Sequence, residues 1–333
     1  MKILGIETSC DETSAAVVEN GVKVLSLTTL SSLKRQIKWG GIVPEVAARE
    51  QVEAIMPVIE MSLKEAKIKI EDIDGIAVTY GPGLLGSLLV GVETAKTIAM
   101  IKNIPIMGVD HMKGHTYASF LDTNNPPVFP FMALLVSGGH TQIVSCRKHD
   151  DIKIIGETRD DSIGEAFDKT ARILGLPYPG GPEISKLAKS VSETRLKLTR
   201  PMINSGDFDF SFSGIKTEVA KISEGNKYTK AEIAYEFQES VTDVVVAKLK
   251  RATEVFNINN IVTGGGVAAN MRLREKVNSA FTNVFETPLK YCTDNGAMIA
   301  AYAFFNWKPV HYLDIKADPG LNLEYVDIKN FKF

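Results

Sequence analysis

Two of the five histidines in this 333-residue chain stand four apart, as His111 and His115 in "HMKGH". On a helix that spacing stacks both imidazoles on one face, one turn apart. Such a pair either holds a metal or is two histidines that share a helix face, and spacing alone does not choose between them. The pair lacks the glutamate beside the first histidine that zinc proteases use as a base, which argues against peptide hydrolysis. A metal would need a third ligand. The best candidate is Asp294 in "YCTDNGAMIAAYAFF", ahead of an apolar helix beginning near Gly296. The alternative reading of Asp294 is an N-cap of that helix. Two histidines and one carboxylate, with positions left open, suit iron or zinc.

Three turns have the composition to approach an anion: "ETSCDET", "VSGGHTQ" and "TGGGVAAN", each directly after an apolar strand. Glycine lets backbone N–H groups come close to phosphate oxygens. None is a Walker loop or a dinucleotide-binding turn. Gly264, Gly265 and Gly266 end a strand before the helix at Asn270, a placement that suits a nucleobase or ribose, with the Asn270 amide offering hydrogen bonds. In "DDSIGEAFDKTARILGLPYPGGPEISKLA", Asp160, Asp161, Glu165 and Asp168 cluster ahead of an apolar helix. Asp160 and Asp161 read as helix-start acids that complement the dipole. Asp168 lies inside the apolar pattern beside Phe167, where an unpaired carboxylate is costly, so Lys169 or a ligand hydroxyl should satisfy it. "PYPGGP" is a rigid turn that lets a ligand contact backbone.

The elements that must position these residues alternate. "KILGIE" is a strand, and "AAVVENGVKVLSLTTL" is a hairpin turning at Asn20-Gly21. A helix through "VPEVAAREQVEAIMPVIEMSLKEA" follows, then the strand "IDGIAVTYG", the helix "LLGSLLVGVETAKTIAMIKN" and the strand "IPIMGVD", which delivers the chain to His111. "LDTNNPPVFP" reads as a linker. After it, "FMALLVSGGHTQIVSC" repeats the strand–polar turn–strand opening, which suggests a duplicated α/β domain. Two halves of this kind are how the actin, hexokinase and Hsp70 superfamily holds a nucleotide. The expected division is 1–127 and 128–333, with the last helix, from about 295, packing across onto the first half. Hydrophobic content of 44%, charged content of 23% and a net charge of −2 fit an ordinary globular protein with no global basic field. Cys10, Cys146 and Cys292 are odd in number and far apart, as for reduced thiols in a cytoplasmic protein. The opening apolar stretch is too short for a signal peptide, and no run is long enough to span a membrane.

Taken together, "GIETSCDETSAAVV", "GGIVPEVAAREQ", "GPGLLGSLLVG", "HMKGH", "LLVSGGHTQIV", "GEAFDKTARILGLPYPGGP", "FSFSGIKT", "EFQESVTDVV", "VTGGGVAANMRLR" and "DNGAMIA" resemble, in order and over nearly the whole chain, the tRNA N6-adenosine threonylcarbamoyltransferases of the TsaD family. "VPEVAAREQ", "SGGHTQ" and "EAFDKT" are similar to its bacterial and organellar branch. The resemblance implies an actin-like (ASKHA) α/β fold with two ribonuclease-H-like halves. It implies transfer of threonylcarbamoyl from threonylcarbamoyl-AMP to N6 of the adenosine just 3′ of the anticodon, in tRNAs reading codons that begin with A. It implies one divalent metal, iron ahead of zinc, held by His111, His115 and Asp294. It places Leu135, Val136, Ser137, Gly138, Gly139, Asp168, Gly181 and Asn270 at adenylate-binding positions. Many relatives carry an aspartate where this chain has Ser185, so a ribose contact there would be weaker or differently made. Asp11 and Glu12, in the first turn, could steer the acceptor or bind a metal. A TsaB-type paralogue and a TsaE-type ATPase are the implied partners. The competing reading is an actin-like ATPase or sugar kinase, which has no need of His111 and His115.

Overall fold

The computed structural model describes residues 1–36 and 41–326. The chain falls into two compact units. Among the described residues the first is Met1–Pro127 with Thr287–Leu323, and the second is Val128–Glu286 with residues 324–326. The chain therefore leaves the first unit at the proline-rich linker and returns to it before the apolar late helix.

In the first unit, β1 (Lys2–Glu7), β2 (Glu12–Glu19), β3 (Lys23–Ser31), β4 (Gly75–Gly81) and β5 (Ile106–Asp110) form one sheet in the order β3-β2-β1-β4-β5. β1 to β3 are antiparallel, while β4 and β5 run parallel to β1. The β2–β3 turn sits at Asn20 and Gly21, whose φ values of 52° and 70° are those of a type I′ hairpin. The helices are α1 (Leu33–Gln36), α2 (Pro44–Glu65), α3 (Leu85–Lys102), α4 (His111–Tyr117) and a late helix, Gly296–Phe305. Because strand side chains alternate, Leu4 and Ile6 of β1 join the core built with Ile55, Val58 and Val92 of α2 and α3. Gly5 points the other way, onto the late helix. A Cβ on Gly5 would overlap the carbonyl oxygen of Gly296, and a Cβ on Gly296 would overlap the carbonyl oxygen of Gly5. The two glycines let helix and strand backbones touch, and the N–H of Gly296 donates to Ser14 Oγ of β2 at 3.0 Å.

The second unit repeats the plan. β6 (Phe131–Val136), β7 (Thr141–Lys148), β8 (Asp151–Glu157), β9 (Asn260–Gly264) and β10 (Asn283–Glu286) lie in the order β10-β9-β6-β7-β8. Again the first three strands are antiparallel and the last two parallel to the first. The strand orders superimpose element for element, so the duplication suggested by the repeated opening is real at the level of topology. The helices are α5 (Ile163–Ile173), α6 (Gly180–Ala188), α7 (Ser213–Glu224), α8 (Lys230–Phe256) and α9 (Met271–Ala280). Phe167 of α5 meets Phe237 of α8 edge to face, with ring centroids 5.1 Å apart, within a core that includes Met132, Leu134 and Val136 of β6. Among the described residues no helix is long and apolar enough to cross a membrane, and the three cysteines are free.

Candidate functional site

The "HMKGH" segment is helix α4. Its N-cap is Asp110, whose carboxylate accepts from the N–H groups of Met112 (2.8 Å) and Lys113 (3.2 Å). The cap starts the helix at His111 and so puts His111 and His115 on one face, with ring centroids 4.6 Å apart. Gly114 between them gives room for Ile299 of the late helix, which helps bring the start of that helix against α4. Asp294 Oδ1 then lies 3.1 Å from His115 Nε2 and 3.6 Å from His111 Nε2. One ligand atom from each of the three residues falls within 4.8 Å of the others. The capping alternative for Asp294 does not hold. The N-cap is its neighbour Asn295, whose Oδ1 accepts from the N–H of Met298 at 3.0 Å.

The donor set fits a metal on one observation. His115 is fully buried, no protein group hydrogen-bonds its Nδ1, and its Nε2 faces Asp294 Oδ1 at 3.1 Å without hydrogen-bond geometry. Buried polar atoms are rarely left that way unless something else fills the need. A residue that reading the sequence missed orients the other histidine. Glu7, buried at the end of β1, lies 3.0 Å from His111 Nδ1, and Ser9 Oγ is 3.2 Å from the same atom. With Nδ1 so engaged, Nε2 is the atom left to bind a metal, the usual division of a ligating imidazole. Glu7 is itself held by the N–H of Ser9 (2.5 Å) and the hydroxyl of Thr79. The available signal was a carboxylate closing an otherwise apolar buried strand. Burial alone would lower the His111 pKa, but Glu7 and then Asp294 raise it to about 9. A proton and a cation thus compete for the same basin. Burial and the charges of Asp294 and Asp11 push the Glu12 carboxyl well above its usual range. Asp11 is tied locally, with Oδ2 accepting from Ser31 Oγ at 3.4 Å.

The second unit holds a cavity of about 640 Å³, lined among others by Gly138, Asp168, Gly181, Ser185, Gln238 and Asn270. That volume is in the range of small-molecule and cofactor sites, about 300–1,000 Å³. Gly138, Gly139, Gly181 and Gly266 have no atom within 4 Å of where a Cβ would lie, so their backbones stand open. Gly265 is different. Its φ of 89° and its closeness to the Val136 carbonyl make it a requirement of the turn itself.

Several sequence expectations are corrected here. Asp168 is not paired with Lys169. Its Oδ1 accepts from the N–H of Gly180 at 2.7 Å, and burial raises its pKa. Lys169 instead pairs with Asp161. Asp160 and Asp161 do not begin α5, which is capped by the Ser162–Glu165 box. Asp160 serves a different helix, accepting from the N–H groups of Phe212 (2.8 Å) and Ser213 (3.2 Å) at the start of α7. Leu135 and Val136 bury their side chains in β6, leaving only main chain to any ligand. The Ser137 hydroxyl accepts from the N–H of His140 at 3.1 Å within its own turn. The Asn270 amide is also engaged. Oδ1 caps α9 by accepting from the N–H of Leu273 at 3.0 Å. Nδ2 donates to Ser185 Oγ (2.9 Å) and Gln238 Oε1 (3.1 Å). Asn270→Ala is therefore expected to cost about 1 kcal/mol of stability through the lost cap. It should also weaken binding of a ligand to this cavity, adenosine monophosphate being the probe, by about 1–3 kcal/mol, because Ser185 and Gln238 lose the donor that orients them. Thermal unfolding and calorimetry read the two effects separately, and unchanged affinity would remove Asn270 from the site.

Residues 23–301 match the family described as TsaD, tRNA N6-adenosine threonylcarbamoyltransferase. A tRNA N6-adenosine threonylcarbamoyltransferase from Bacillus cereus is 46% identical over 334 residues, covering 97% of this chain and 96% of the relative. One from Persephonella marina is 47% identical over 315 residues, covering 92% and 91%. Among solved structures, T. kodakarensis HypF aligns with a TM-score of 0.65 at 13% identity, over 92% of this chain and 48% of that one. Component A of the (R)-2-hydroxyglutaryl-CoA dehydratase from Acidaminococcus fermentans aligns with a TM-score of 0.56 at 17% identity, over 91% and 98%. These structural likenesses bear on the fold alone, which is the actin-like α/β fold with duplicated halves. The chain belongs to the TsaD family and is a tRNA N6-adenosine threonylcarbamoyltransferase.

Proposed function

We propose that His111, His115 and Asp294 hold one divalent cation, iron ahead of zinc, and that the cavity of the second unit binds the AMP moiety of threonylcarbamoyl-AMP. The observation that carries the first assignment is the convergence of one ligand atom each from His111, His115 and Asp294 within 4.8 Å, around a fully buried His115 whose Nε2 faces the carboxylate at 3.1 Å without hydrogen-bond geometry. In the reaction, N6 of the tRNA adenosine attacks the carbamoyl carbon, the bond from that carbon to the phosphate oxygen breaks, AMP departs, and N6 loses a proton. A divalent ion with open positions supplies Lewis acidity toward the carbonyl oxygen of such an anhydride. The chain's own residues do the rest. Glu7 and Ser9 hold the His111 ring in place. The open backbone at Gly138, Gly139 and Gly181 receives the anionic AMP without a Cβ in the way. The roles the resemblance leaves to Asp11 and Glu12 are steering of the acceptor through charge or a part in metal binding.

The resemblance also supports a cytoplasmic enzyme that works with a TsaB-type paralogue and a TsaE-type ATPase. The ATPase or sugar-kinase alternative is disfavoured by the relatives' shared transferase activity. With threonylcarbamoyl-AMP supplied and partners added, tRNA should gain the threonylcarbamoyl group with no ATP consumed in the transfer itself. Mass spectrometry of digested tRNA checks this, in vitro and in cells depleted of the protein. Phosphorylation of a sugar at a comparable rate would sink the transferase assignment in favour of a kinase.

A further inference from the structure

Gln238 stands in the motif "EFQESVTDVV", on helix α8, in the wall of the second unit's cavity. It is only 7% exposed. Its hydrogen bonds can be oriented without ambiguity, because the chain of donors begins at a backbone N–H. Leu273 N–H donates to Asn270 Oδ1, so the other end of the Asn270 amide is its NH₂ group. That group donates to Ser185 Oγ and to Gln238 Oε1. Ser185 Oγ accepts from Asn270 and passes its own proton to Gln238 Oε1 at 2.9 Å. Both interactions meet the same oxygen of Gln238, so the remaining end of its side chain is the Nε2 amide. Among the described residues no protein group accepts from that nitrogen.

We infer that Gln238 is a specificity-determining residue of the nucleotide site, donating a hydrogen bond from Nε2 to an acceptor atom of the bound nucleoside. The inference rests on the reading of this cavity as the AMP site. It also explains the departure at position 185. A carboxylate there would present an acceptor, whereas Ser185 directs its proton onto Gln238 and the glutamine presents a donor. The wall thus offers a neutral donor in place of an anionic acceptor. The complementary atom is the 2′- or 3′-hydroxyl oxygen of the ribose or purine N3, each of which accepts.

The test is calorimetric binding of adenosine, 2′-deoxyadenosine, 3′-deoxyadenosine and 3-deazaadenosine to wild type and to Gln238→Met, with thermal unfolding as a control. Wild type should bind adenosine and bind one analogue about tenfold more weakly, the worth of one hydrogen bond. Gln238→Met should lose a similar factor for adenosine and lose nothing further for that analogue. A merely structural role would instead shift all four ligands in parallel, and that result overturns the inference, as does unchanged adenosine affinity. If wild type binds no adenosine or AMP, the reading of the cavity fails first, and with it the basis for Gln238. Should Gln238→Met unfold, Gln238→Glu keeps the acceptor for Ser185 and Asn270. A purine nitrogen is then repelled, so that 3-deazaadenosine outbinds adenosine. A ribose hydroxyl turns and donates, so that the deoxy analogue remains the weaker ligand. Equal binding of all four ligands by Gln238→Glu overturns the inference.

Discussion

Asp294→Asn is expected to yield a folded protein that has lost its metal and its transfer activity together. The substitution preserves shape and leaves the start of the late helix untouched, because the cap there is Asn295. It also removes one negative charge from a basin that already contains Glu7 and Glu12, so stability should remain near that of wild type. The loss falls on metal binding. Two imidazoles alone hold a divalent ion poorly, and an amide oxygen is a weak substitute for a carboxylate. The fall in affinity should exceed the roughly 10–100-fold typical of losing a supporting hydrogen bond. Glu7→Gln, which disturbs such a bond at His111 Nδ1, supplies that smaller benchmark. Elemental analysis for iron and zinc on both variants, with His111→Ala and His115→Ala, separates the readings. A full metal complement in Asp294→Asn would break the triad and return "HMKGH" to two histidines on one helix face.

The second large effect lies in the packing that delivers Asp294. Gly5→Ala places a methyl group against the Gly296 carbonyl and the Ala300 N–H, which lies 2.9 Å from the new Cβ. Both obstructions are main chain and cannot rotate aside, so relief requires the late helix to move off β1. The expected cost is about 3 kcal/mol, at the upper end for overpacking in a tight core. Because Asp294 stands at the entrance to that helix, metal content should fall as well, although Gly5 touches no ligand. Urea unfolding at unchanged slope reads the first effect. A variant within about 0.5 kcal/mol of wild type would mean that the contact is not the constraint described, since that is the range of an ordinary surface change.

What the amino-acid sequence determined by itself is what acts over a few residues. Asn20-Gly21 specifies a tight hairpin because both positions take positive φ with little strain. The alternation of Leu4, Gly5 and Ile6 specifies two faces of a strand, and the four-residue interval of His111 and His115 specifies one face of a helix. The family motifs, read in order, were enough to name the chemistry. Helix starts were legible only in composition, not in assignment. An aspartate near a helix start reads as its cap, yet Asn295 takes that place from Asp294, and Asp160 serves a helix more than fifty residues away. Only tertiary structure brought Asp294 to the two histidines, set Glu7 behind His111, and joined Ser185 to Gln238 across 53 residues and to Asn270 across 85. The reason is that a carboxylate or amide can satisfy any donor the fold brings within about 3 Å. Which donor arrives is decided by how sheets and helices pack, and at Gly5 and Gly296 that packing turns on the absence of two side chains.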